Sequence, residues 1–81
     1  MSDEQFEALS LTPREIEWIL LSMRGLSYGE IATEMRIEVA TVKKHARFAM
    51  KKLKLKTTLQ VVVWGFENEF RIWADFNQFA K

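Results

Sequence analysis

The sequence predicts an all-α fold, and three observations carry that expectation. Helix-breaking residues are scarce, with three glycines and one proline in 81 residues. No segment keeps the apolar–polar alternation of a half-buried strand bounded by turn residues. The same helix-start signature also occurs three times: Thr12 with Glu15, Ser27 with Glu30, and Thr57 with Gln60. In each, the hydroxyl can accept from an orphan amide of the first turn while the Glu or Gln reaches back to the cap amide.

The elements follow in order. The first helix spans Pro13 to Met23, with Pro13 at the first helical position, where its missing N–H costs nothing. Ile16, Ile19, Leu20 and Met23 share a face, and Gly25 suits a left-handed C-terminal position. The second helix is short, Tyr28 to Met35, with Ile31, Ala32 and Met35 apolar. The third begins at Val39 and runs to Leu53. Its cap is Glu38, poorer than Ser or Thr, although its charge suits a helix N-terminus. The fourth starts after Thr57, with an apolar spacing of Leu59, Val62, Val63, Phe66, Phe70 and Trp73. With no Pro or Gly in 69–81, this helix is expected to continue through the chain end. Gly65 would let a second helix approach closely.

Composition bounds the function. There is no cysteine and one histidine, His45, so thiolate zinc sites, Cys nucleophiles and multi-His metal centres are excluded. No Ser or Cys is placed to make His45 catalytic; no enzyme activity, metal or cofactor is expected. The acidic N-terminus is not a signal peptide, and the longest apolar run, Val61 to Phe66, falls far short of the ~20 residues of a membrane span. A soluble, cytoplasmic protein is expected.

The net charge of +1 hides a strong asymmetry. Residues 1–38 carry three basic and eight acidic side chains, whereas residues 39–58 carry seven basic ones and no acid. A concentrated cationic segment points to a polyanionic partner, or simply to a solvated lysine-rich face. At about 100° per residue, Lys43, Lys44, Arg47, Lys51 and Lys54 fall within a ~100° arc of the third helix. Val39, Val42, Ala46, Ala49, Met50 and Leu53 occupy a separate arc. One stripe can pack inward while the other faces out. Two helices joined by a tight turn, the second one basic, is the layout of a helix-turn-helix reader of duplex DNA.

The residues also match a family. The segments are Leu11-Thr12-Pro13-Arg14-Glu15, Gly25-Leu26-Ser27-Tyr28-Gly29-Glu30-Ile31-Ala32, Thr41-Val42-Lys43-Lys44-His45, and Lys52-Leu53-Lys54-Leu55-Lys56. Together they resemble the LuxR/FixJ/GerE-type helix-turn-helix, most closely its NarL-like effector domains, over residues 11–68. The resemblance implies a four-helix domain whose second and third helices form the reader and whose fourth forms a dimer contact. It places Lys43, Lys44 and Arg47 at base-contacting positions. Thr41 and His45 fall where phosphate contacts or helix packing occur, and Lys51 and Lys54 are expected at phosphates. The chain departs from the pattern at Glu38, in place of a capping Ser, and at Val61, in place of a small Ala.

The sequence thus divides into an acidic arm (1–10), the reader domain (11–68) and an aromatic helix extension (69–81), with no sensor domain expected. Its expected role is a dimeric, sequence-specific transcription regulator on double-stranded DNA, with Val62, Phe66, Phe70 and Trp73 at the dimer or partner interface. The rival reading is an interaction module that binds another transcription regulator through the helix-four extension. Phe48 lies outside the apolar arc of the third helix, where it could contact a partner or simply be a partly covered surface residue.

Overall fold

The computed structural model describes residues 10–72. It contains α1 (Pro13–Met23), α2 (Tyr28–Met35), α3 (Val39–Leu53) and α4 (Thr58–Glu67), and residues 69–72 are again helical. All three expected capping boxes form. The Thr12 amide donates to Glu15 Oε1 at 2.9 Å and the Glu15 amide to Thr12 Oγ1 at 3.2 Å. Ser27 and Glu30 repeat the arrangement, as do Thr57 and Gln60. The Ser27 amide, and secondarily its hydroxyl, hold the Glu30 carboxyl below the usual carboxylate range. That local stabilisation is complete above the unfolded-chain value and is lost as pH falls through the lower folded one.

Helix ends obey one rule. At α1, α2 and α3 the chain turns through a left-handed residue: Gly25 (φ 83°), Arg36 (φ 58°) and Lys54 (φ 59°). The next amide then donates back to a carbonyl of the last turn, Leu26 to Leu21, Ile37 to Ala32 and Leu55 to Met50. Leu26, Ile37 and Leu55 are each partly buried against the core. Only Gly25 carried a sequence signal for this turn.

α1 is the central element and packs on α2, α3 and α4, while α2 packs on α3. Trp18, Ile16 and Ile19 from α1 are fully buried with Ile31 of α2, Val42 of α3 and Val61 of α4. Burying each such side chain contributes about 1.5–3 kcal/mol. Ala46 and Ala49, both without exposed surface, keep the inward face of α3 thin enough for close packing. Val39, assigned to the apolar arc, stays exposed at the start of α3.

α4 departs from expectation at its end. It does not run on unbroken, because Asn68 interrupts it. The Asn68 side-chain amide donates to Trp64 O at 2.8 Å, taking the carbonyl that its own backbone N–H would use in a continuing helix. The backbone N–H bonds Gly65 O instead, at φ −127°. Asn68 O then accepts from the Ile72 amide at 3.1 Å as the helix resumes, and Ile72, in line with Val61 and Gly65 at helical spacing, is 0% exposed. Ile72 thus makes the start of the expected extension part of the domain core.

The buried face of α4 is also not its most apolar one. Val61 and Gly65 are buried, with Thr58 and Asn68 partly so, whereas Leu59, Val63 and Phe66 are exposed. Gly65 does permit a close approach, but the approaching group is Met23 of α1. A Cβ at position 65 would lie 2.6 Å from Met23 Sδ.

Candidate nucleic-acid interface

The reader unit is α2, the turn at Arg36–Ile37–Glu38, and α3. Burial of Val42, Ala46 and Ala49 fixes the rotation of α3. Its opposite face then presents Lys43, Lys44, Arg47 and Lys51, all exposed, with Thr41 and His45 half-buried at the margin. α3 contains no acidic residue. Among the described residues, none of these four cations makes an ion pair. Their charge is directed outward, and their long side chains can reach guanine O6 and N7 edges or phosphates.

Two aromatic contacts organise the face. Lys43 Nζ lies 5.8 Å from the centroid of the Tyr28 ring, at the start of α2. The Tyr28 hydroxyl shares a hydrogen bond at 3.4 Å with Thr58 Oγ1 of α4. One ring therefore links the reader lysine to two other helices. Arg47 Cζ lies 5.9 Å from the Phe48 ring. The sequence offered no signal for the Tyr28 contact, which depends on how α2 crosses α3.

The structure brings Lys43, Lys44, Arg47 and Lys51 onto one face, as expected. Lys54 stands apart: it is the left-handed cap residue after α3, so the helical angle that aligned it with the stripe does not extend to it. Lys52 has a structural role. Its ammonium donates to Ser10 O at 2.8 Å and to Glu15 Oε1 at 2.7 Å. Glu15 is almost fully buried, so this pair ties the end of α3 to the start of α1. Lys52→Ala is expected to lower stability in urea unfolding by about 1–2 kcal/mol, leaving the buried carboxylate short of a partner. Lys51→Ala should leave stability unchanged.

Glu38 is exposed and makes no side-chain capping bond, consistent with the poor cap read from sequence. Glu38→Ser is expected to raise stability by about 0.5–1 kcal/mol by supplying a hydroxyl acceptor. Removal of a carboxylate beside the cationic face should tighten DNA binding in the same variant. Raised stability at constant affinity would place Glu38 away from the DNA.

The proposed interface on α4 is split. Phe66 is 58% and Phe70 79% exposed. Val62 is half-buried, and Trp73 lies outside the described residues. The exposed apolar stripe of α4 is Leu59, Val63 and Phe66, with Phe70 beyond the Asn68 interruption. Among the described residues no group of three or more His, Asp or Glu could hold a metal ion, and no helix is long and apolar enough to cross a membrane.

Comparison with known proteins agrees with this geometry. The profile of the family described as bacterial regulatory proteins, luxR family, matches residues 9–65. The response regulator protein VraR from Staphylococcus aureus strain NCTC 8325 is 38% identical over 58 residues, which is 72% of this chain. VraR proteins of Staphylococcus epidermidis and Staphylococcus saprophyticus match to the same extent. The match covers 28% of the length of each of these relatives. No solved structure matches the chain significantly.

Proposed function

Because the chain belongs to the luxR family of bacterial regulatory proteins, whose domain is a DNA-binding helix-turn-helix, we propose that α3 enters the major groove of a specific operator. In this reading Lys43, Lys44 and Arg47 contact base edges, and Thr41, His45, Lys51 and Lys54 contact phosphates. The observation that carries it is the outward, acid-free cationic face of α3, held in rotation by a buried opposite face. Such a helix meets the bases with the outward residues of its N-terminal half; Thr41 and His45, half-buried at the margin, and the later Lys51 and Lys54 are left for the backbone.

The chain acts as a two-fold dimer through α4. The support is its exposed stripe of Leu59, Val63 and Phe66, an apolar surface that a lone domain leaves in water. A symmetric pair would present two α3 helices to half-sites about one DNA turn apart, ~34 Å. The same stripe favours a second reading, in which it binds another transcription regulator. Sedimentation of the intact chain separates the two: a dimer at micromolar concentration supports self-association, and a monomer points to a different protein partner.

DNA binding is tested with the intact chain and labelled genomic duplexes at about 50 mM and 200 mM salt. The expected result is preferential binding of some fragments and a steep loss of affinity at the higher salt. Failure to bind any duplex at low salt would leave the regulator-binding reading in its place.

A further inference from the structure

The DNA-reading face contains one residue that does not belong to its chemistry. Phe48 is 42% exposed and sits in the middle of α3. At about 100° per residue it lies ~40° beyond Lys44, at the margin of the cationic arc and roughly 100–160° around the helix from the buried Val42, Ala46 and Ala49. Its helical neighbours at i−4, i+3 and i+4 are Lys44, Lys51 and Lys52, and the Arg47 guanidinium rests near its ring at 5.9 Å. It is an apolar group set among cations on the surface assigned to DNA.

The major groove offers one prominent apolar group, the C5-methyl of thymine; the remaining base edges there are donors and acceptors. We propose that Phe48 packs on a thymine methyl and is a specificity-determining residue of the reader. The Arg47–Phe48 pair then presents two different readers side by side, a guanidinium for guanine O6 and N7 and an aromatic ring for thymine. Phe48 lies about 6 Å along the helix from Lys44, so its thymine is a different base pair from the one that Lys44 reads. The inference rests on the assignment of α3 to the major groove.

The test begins with selection of preferred duplexes from a random pool by the intact chain. Each thymine of the selected site is then replaced singly by deoxyuridine, which deletes the methyl and leaves base pairing intact. At one position the wild-type chain is expected to lose about three- to tenfold in affinity, the worth of one buried methyl. Phe48→Ala should bind the thymine and uracil forms of that site equally. Phe48→Leu, which keeps an apolar side chain, should retain part of the discrimination. Matching thermal melts of the variants exclude unfolding, as expected for an exposed position.

If the wild-type chain selects a sequence but no deoxyuridine weakens it, or weakens Phe48→Ala equally, the role of Phe48 is refuted while the assignment of α3 stands. If it selects no sequence at all, the assignment of α3 fails and the role of Phe48 fails with it.

Discussion

Replacing Lys43, Lys44 and Arg47 together by alanine is expected to abolish operator preference while leaving the thermal midpoint nearly unchanged. All three side chains are exposed, and none makes an ion pair among the described residues. Alanine is also the best helix former, so α3 itself loses nothing. Each single replacement should cost about 1–3 kcal/mol of specific binding, roughly 5- to 150-fold in affinity. The sum need not equal the triple variant, because Lys43 and Arg47 are neighbours one turn apart and carry like charge. Lys51→Ala should behave differently, weakening binding to all duplexes alike and reducing the salt slope by about one. Equal losses on operator and random duplex in the single variants at Lys43, Lys44 and Arg47 would move those residues from bases to phosphates.

Removing Ile72 is expected to damage the fold itself. Its side chain has no exposed surface, and at about 100° per residue it falls on the same face as the buried Val61 and Gly65 of α4. Ile72→Ala should lower unfolding free energy by about 2–5 kcal/mol. That is a large part of the ~4–12 kcal/mol available to a domain this size. Truncation after Asn68, which removes Ile72, should be at least as damaging. Ile72→Val, which keeps most of the volume, should cost about 0.5–1.5 kcal/mol in the same denaturant titration. A truncated chain with unchanged stability would show that the domain closes without Ile72.

The starts of α1, α2 and α4 and the end of α1 were legible because caps are local chemistry. A Thr or Ser three residues before a Glu or Gln, and a left-handed glycine after Met23, need nothing beyond their neighbours. The turns at Arg36 and Lys54 were not legible. A left-handed arginine or lysine is intrinsically unfavourable, and at both positions the next residue, Ile37 or Leu55, packs on the core. The interruption at Asn68 was missed for a related reason: it arises from a side-chain amide competing for one carbonyl, not from a residue that cannot be helical. The face of α4 was legible in part. Apolar spacing placed Phe66 and Phe70 at a partner interface, and both are exposed; Leu59 and Val63 are exposed with them, whereas Val62 is half-buried. The buried stripe holds Val61 and Gly65, chosen by how closely α1 approaches rather than by hydrophobicity. The cationic face of α3 was legible because its apolar and basic arcs separate cleanly at helical spacing. What that spacing could not show was the role of each lysine. Lys52 clamps Glu15, and Lys43 rests near Tyr28, through contacts 37 residues apart for the first pair and between separate helices for the second.

The most direct test of α3 as the DNA-reading surface is an amide chemical-shift map of the intact chain, recorded during titration with a selected duplex. The largest changes are expected along the outward face of α3, at Lys43, Lys44, Arg47, Phe48 and Lys51. Smaller changes are expected at the start of α2. Strong shifts confined to Leu59, Val63 and Phe66 of α4, with the outward residues of α3 unmoved, would contradict the assignment.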